Sequence, residues 1–211
     1  MTIRHHPSAE TMAACVAGSL DLPRRLVVAS HLEHCRACRR LAGDLEEAGG
    51  AMLEALPAAE MRADALAHTL ARIDGPVPPA LSEGRSPEPG LPACLRPYEL
   101  GAWRWLGPGL EIRPILLPQP QAARLFLLKA KPGTRLPQHS HGGGEFTSVL
   151  TGAFVDESGR FGPGDFEEAD EDMEHRPVVA LEGACMCLVA LEGRMKLSGF
   201  LGTLLGPFMR M

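Results

Sequence analysis

Two groups of residues in this 211-residue chain have the types and spacing to hold metal ions. The first is His31-Leu-Glu-His34-Cys35-Arg-Ala-Cys38. His31 and Cys35 are four apart, so on a helix they lie one above the other, and Cys38 follows one further turn along. One imidazole and two thiols on one side make three of the four ligands of a closed tetrahedral zinc site. His5 and His6, near the N-terminus, are the available sources of the fourth. The bland alternative is a pair of buried structural cysteines beside a surface histidine. His31 at the right offset and the spare upstream pair argue against it.

The second group lies within Gly133-Thr-Arg-Leu-Pro-Gln-His139-Ser-His141-Gly-Gly-Gly-Glu145-Phe-Thr-Ser-Val-Leu-Thr-Gly152. His139 and His141 are two apart and share one face of a strand. Three glycines let the chain turn tightly and bring Glu145 back to that face. Gly162-Pro-Gly-Asp165 then supplies a turn, and His175 follows ten residues after the aspartate. Three imidazoles and a carboxylate suit a divalent transition metal: zinc first, with iron, manganese or nickel as alternatives.

These groups sit in two contrasting regions. In the first, Ser8 caps a helix that Gly18 ends, and Asp21 caps a second helix with Pro23 in its first turn. Leu22, Leu26 and Ala29 mark one apolar stripe of that second helix, and Val28, Leu32 and Cys35 mark another, so it is expected to be sandwiched. A third helix restarts near Cys38 and runs to Pro57, with Gly49-Gly50 as a bend or break. Glu60 to Ile73 forms a fourth, with Leu66, Leu70 and Ile73 on its face. So small a unit buries only a modest core, which zinc would compensate, and its apolar stripes exceed what that core needs. Surplus apolar stripes mark a partner interface.

From Gly75 to Pro92 the chain is rich in Pro, Gly and Ser and reads as a linker. Beyond it, short β-rich runs take over at Ile112–Leu117, Leu125–Ala130, Phe146–Thr151, Phe166–Ala169, Val178–Leu181 and Met186–Leu191. The expected organisation is an all-α zinc-binding unit at 1–74, a linker at 75–93 and an all-β antiparallel barrel at 94–211.

The net charge of −5 leaves no basic stripe for nucleic acid. The opening MTIRHHPSAE has no apolar signal region, and no apolar run is long enough to span a membrane, so a cytoplasmic location is expected. Six cysteines in a chain of this length do not make a disulfide framework. Cys185 and Cys187 face the same way on a strand, either as small core residues or as a redox pair. Cys15 reads as packing. Cys94, at the end of the linker, is the most exposed candidate for oxidation.

The segment Gly133 to Gly152 matches the first cupin motif, G-x5-H-x-H-x3-E-x6-G. Gly162 to His175 resembles the second motif but lacks its P-x-G before the histidine. A cupin preceded by helices carrying His31-x3-Cys35-x2-Cys38 resembles the ChrR-type zinc-binding anti-sigma factors over essentially the whole chain. That resemblance implies zinc on His6, His31, Cys35 and Cys38, with His6 preferred to His5 on this ground alone, and a jelly-roll cupin metal on His139, His141, Glu145 and His175. It also implies a non-enzymatic regulator that binds a group IV (extracytoplasmic function) sigma factor, keeps it from core RNA polymerase and releases it on an oxidative signal such as singlet oxygen. The alternative is a metal-dependent cupin enzyme, a dioxygenase or isomerase, which gives the helical unit no role. Oligomeric state is left open.

Overall fold

The computed structural model describes residues 2–75, 90–136, 139–141, 143–170, 175–193 and 195–197, with the backbone alone at 139–141 and 195–197. Most of the linker at 75–93 therefore lies outside the described residues.

Four helices come first: α1 (Ala9–Val16), α2 (Leu22–His34), α3 (Arg36–Glu54) and α4 (Ala65–Ile73). Ser8 caps α1 by accepting the Thr11 amide, and Asp21 caps α2 by accepting that of Arg24. Gly18, at φ 73°, takes the left-handed conformation that ends α1. Three expectations are corrected. Helix α3 runs unbroken through Gly49-Gly50, because both glycines face open space and the flanking Ala, Leu and Glu residues carry the helix. It also begins at Arg36, because the chain turns a corner at Cys35, whose extended backbone (φ −97°, ψ 106°) ends α2 and caps α3. Cys38 is therefore not on the same helix as His31. The fourth helix is shorter than expected, beginning at Ala65.

After a 3-10 turn at Ala93–Leu95 come, among the described residues, twelve strands: β1 (Glu99–Leu100), β2 (Arg104–Gly107), β3 (Leu110–Leu116), β4 (Ala123–Ala130), β5 (His139–His141), β6 (Glu145–Thr151), β7 (Phe154–Asp156), β8 (Gly159–Phe161), β9 (Phe166–Ala169), β10 (Val178–Val179), β11 (Cys185–Glu192) and β12 (Met195–Leu197). All pairings are antiparallel. The main sheet runs β1-β3-β4-β11-β6-β9 with β2 paired to β3, a second sheet runs β10-β7-β8, and β5 pairs with β12. Among the described residues these sheets do not close into one barrel. The hairpin of β7 and β8 was not expected from the sequence. Its turn is built by Asp156, whose Oδ1 accepts the amides of Ser158 and Gly159.

The central strand β11 of the main sheet is buried on both faces, which is why it reads as the near-continuous apolar run Cys-Met-Cys-Leu-Val-Ala-Leu. Side chains alternate along it. Cys185, Cys187, Val189 and Leu191 pack with Val149, Phe154, Phe161 and Val179 between the two sheets. Leu188 and Ala190 face the other way, where they join Leu125, Leu127, Phe146 and Phe166 against Met12, Leu26, Val27 and Val28 of α1 and α2. Helix α2 is thus sandwiched, as its two stripes foretell, but one of its neighbours is the β-sheet. The helices do not build a core of their own: their core continues into that of the strands. No residue of α4 is buried.

Candidate metal centres

The first centre forms where the corner at Cys35 meets the N-terminal segment. His6, His31, Cys35 and Cys38 bring one ligand atom each within 4.8 Å of one another. His6 Nδ1 lies 3.4 Å from both Cys35 Sγ and Cys38 Sγ, and His31 Nε2 lies 3.2 Å from Cys38 Sγ. Nitrogen and sulfur on one tetrahedral zinc stand about 3.5 Å apart, so the four atoms are spaced to share an ion.

The electrostatics agree with the spacing. His31 is fully buried, and that burial lowers it to about 4, so its ring is neutral and its lone pair is available. Its Nδ1 lies 2.7 Å from the carbonyl oxygen of Gly164, which can only accept, so the proton is on Nδ1 and Nε2 faces the thiols. Burial, with Cys35 beside it, raises Cys38 to about 12. A thiol held this way gives up its proton to a strongly attracting partner, as a dication is. The four residues could hold a metal ion.

The choice between the two N-terminal histidines is made by the strand they lie beside. The Phe166 amide donates to the His5 carbonyl, and the Arg4 and His5 amides donate to Asp165 Oδ1. In that extended segment the His5 ring stacks on Phe161, centroids 4.1 Å apart, and His6 turns to the thiols. His34 is exposed and outside the group.

The second centre lies between the sheets of the β-region. Glu145 is buried at the start of β6 and accepts from Thr147 Oγ1 at 2.9 Å. His175 is buried and directs Nδ1 at Glu167 Oε1, 3.1 Å away, and at Asp156 Oδ2, 3.5 Å away. His139 and His141 place their backbones on β5, and their side chains lie outside the described residues. The residues that sequence reasoning missed here are Asp156 and Glu167, which with His175 form a second group able to hold a metal ion. Asp156 sits in an unrecognised hairpin, and Glu167 shares β9 with Glu168, two acids in an otherwise apolar strand that was the one available signal.

Charge is strongly redistributed there. Burial pushes Glu167 up to about 7 and raises Glu145. Burial opposes ionisation of Asp156 too, but the neighbouring His175 and Glu167 and the Ser158 amide bring it to about 2. Burial would lower His175, yet Asp156 and Glu167 raise it to about 10. A cavity of about 40 Å³, lined by Glu145, Glu167, His175, Cys185 and Cys187 among others, adjoins these groups. Cys185 and Cys187 do face the same way, with their sulfurs 3.7 Å apart. The hydrogen bond between them lowers Cys185 and raises Cys187. Cys94 departs from its expected exposure: it is half-buried against the Leu26 carbonyl, and burial beside Glu33 raises it to about 12.

A protein 39% identical to this chain, over the whole length of both, is the anti-sigma-E factor ChrR of Cereibacter sphaeroides. This chain belongs to the ChrR family. A family model described as the ChrR cupin-like domain matches residues 98–194. The crystal structure of Rhodobacter sphaeroides SigE in complex with the anti-sigma ChrR contains a chain that superposes with a TM-score of 0.75 at 38% identity, covering 90% of this chain and 100% of that one. Among the described residues no helix is long and apolar enough to cross a membrane.

Proposed function

We propose that this chain is an anti-sigma factor that binds a group IV sigma factor through its N-terminal helices and keeps it from core RNA polymerase. The observation that carries this is the similarity over the full chain to a ChrR solved in complex with its sigma factor. The apolar face of α4 supports it. Leu66, Leu70 and Ile73 are 71%, 51% and 71% exposed, and Met52 and Leu53 at the end of α3 and Leu56 just beyond it are exposed as well. A stripe of this kind fits a partner helix laid into an apolar groove. The protein is a regulator and not an enzyme.

In this reading the first centre holds zinc on His6, His31, Cys35 and Cys38, and the ion fixes the corner between α2 and α3 from which the sigma-binding surface projects. The cupin closes into a jelly roll around a divalent metal, zinc in the first instance, on His139, His141, Glu145 and His175. Residues 1–74 form the sigma-binding unit and 94–211 the sensing unit, both in the cytoplasm. Release follows an oxidative signal such as singlet oxygen received at the cupin, where Cys185 and Cys187 are the nearest paired thiols. Reversing occupancy from nearly bound to nearly free takes about 5 kcal/mol, which loss or oxidation of a metal-binding group can supply and a minor surface change cannot.

Purification of the tagged chain from its own host tests this. A group IV sigma factor is expected to accompany the wild type and to be lost with Cys35→Ser and Cys38→Ser. A wild type that brings down no sigma factor and consumes oxygen with small organic substrates overturns it.

A further inference from the structure

The turn and strand from Gly164 to Glu168 touch both metal centres. On one side, the Gly164 carbonyl takes the Nδ1 proton of His31 at 2.7 Å. Asp165, 5% exposed, accepts the Arg4 and His5 amides at 2.7 and 3.0 Å, so it anchors the segment that delivers His6. Its other oxygen accepts the Gly162 amide at 2.8 Å, which fixes the carboxylate itself. Gly164, at φ 89°, permits the turn, and a Cβ there would stand 2.8 Å from the Ile3 side chain. Glu168 completes this side by accepting from Thr11 Oγ1 at 2.6 Å and from the Ser8 amide at 3.1 Å. Glu167 lies between these residues and points to the opposite face of β9, where it accepts from His175 at 3.1 Å.

We propose that Asp165 is a positioning residue of the His6–His31–Cys35–Cys38 centre, and that β9 is an outer shell shared by the two centres, so that a change in how Glu167 holds His175 alters how firmly the first centre keeps its metal. The proposal rests on the reading that this first centre binds zinc. Its physical basis is that a ligand imidazole or its segment, once released from its second partner, explores orientations that do not bind. Outer-shell losses of this kind weaken metal retention by about 10- to 100-fold. Within one rigid ladder, a displacement of Glu167 is carried to its neighbours Phe166 and Glu168, and Phe166 packs edge-on against His31 with ring centroids 5.7 Å apart.

The test is the rate at which the full chain, loaded with zinc, yields that zinc to an excess of a colorimetric chelator, with cobalt-substituted protein reporting ligand geometry through its absorption bands. Asp165→Ala is expected to release the first-centre zinc about 10- to 100-fold faster while keeping the cobalt–thiolate bands. Asp165→Asn, whose amide oxygen can accept the Arg4 and His5 amides but whose NH2 cannot accept that of Gly162, is expected to fall between the wild type and Asp165→Ala. Glu167→Ala, which touches no atom of the first centre, is expected to change that release several-fold. If alanine at 165 prevents folding, the comparison is made with Asp165→Glu, whose carboxylate is displaced by one methylene. A wild type that takes up no zinc through Cys35 and Cys38 overturns the underlying reading, and the proposal with it. A wild type that binds zinc there and releases it no more slowly than Asp165→Ala, or than Asp165→Glu where alanine does not fold, or no differently from Glu167→Ala, overturns the proposal alone.

Discussion

His31 and Gly164 are 133 residues apart in sequence, and the imidazole Nδ1 of the first donates to the carbonyl oxygen of the second across 2.7 Å. One residue belongs to the helical part and the other to the turn before β9, so the outer shell of the first metal centre is supplied by the cupin-like part. The same junction buries Met12, Val27 and Val28 against Leu127, Phe166 and Leu188.

Because that core is continuous, damage on the strand side should reach the helices. Phe166→Ala is expected to cost about 3–5 kcal/mol. Helical circular dichroism and the fluorescence of Trp103 and Trp105, which lie in the β-region, should then fall together at a lower temperature than in the wild type. Helical signal that survives loss of the tryptophan signal would show that the two parts melt independently.

Substitution should separate the two adjacent histidines. His6→Ala, His31→Ala, Cys35→Ser and Cys38→Ser are each expected to lose one equivalent of zinc by elemental analysis, whereas His5→Ala and His34→Ala keep it. Structural zinc in small domains contributes about 10–16 kcal/mol of apparent binding energy, so those losses should be accompanied by partial unfolding of α2 and α3. Zinc retained by His6→Ala and lost by His5→Ala would reverse the assignment.

Much of this arrangement was legible in the sequence. The caps at Ser8 and Asp21, the stripes of α2 and the apolar runs of β4, β6 and β11 are local signals, and each became the element it announced. The His-Cys-Cys group was readable because its members lie within eight residues. The corner at Cys35 was not, since a cysteine is no usual helix cap, and here its sulfur accepts the Cys38 amide to start α3. His5 and His6 are adjacent, and only the hydrogen bonds that tie their segment to Asp165 and Phe166 decide which one turns to the thiols. Asp156 and Glu167 were illegible for a related reason: their partner His175 is brought to them by the packing of one sheet on another. Gly49-Gly50 misled because helix propensity is a weak term that flanking helix formers outweigh.

Thiol chemistry offers an independent check. Burial holds Cys94 at about 12, and Cys15 is also raised. At pH 8 only about one Cys94 in ten thousand is then a thiolate, so alkylation in the native state should be slow and should rise with pH towards 12. Chelation of the zinc, through the partial unfolding of α2 and α3 that it brings, should open two further thiols to alkylation, mapped by mass spectrometry to Cys35 and Cys38. Rapid alkylation of Cys94 at pH 8 in the folded protein would contradict its burial.

The face of α4 should be separable from stability. Leu66→Glu and Leu70→Glu replace exposed side chains and are expected to change folding free energy by no more than about 0.5 kcal/mol. Each should weaken sigma binding by about 1–4 kcal/mol, roughly 5-fold to 1,000-fold, as measured by calorimetry. Unchanged affinity in both variants would place the sigma factor elsewhere on the protein.

The central claim is tested most directly by transcription in vitro from a group IV promoter with core RNA polymerase and the sigma factor from the same host. Adding this protein before the polymerase is expected to abolish the transcript at one equivalent per sigma factor, and Cys35→Ser should leave it intact. A transcript undiminished by excess wild-type protein, with its zinc in place, would contradict the account.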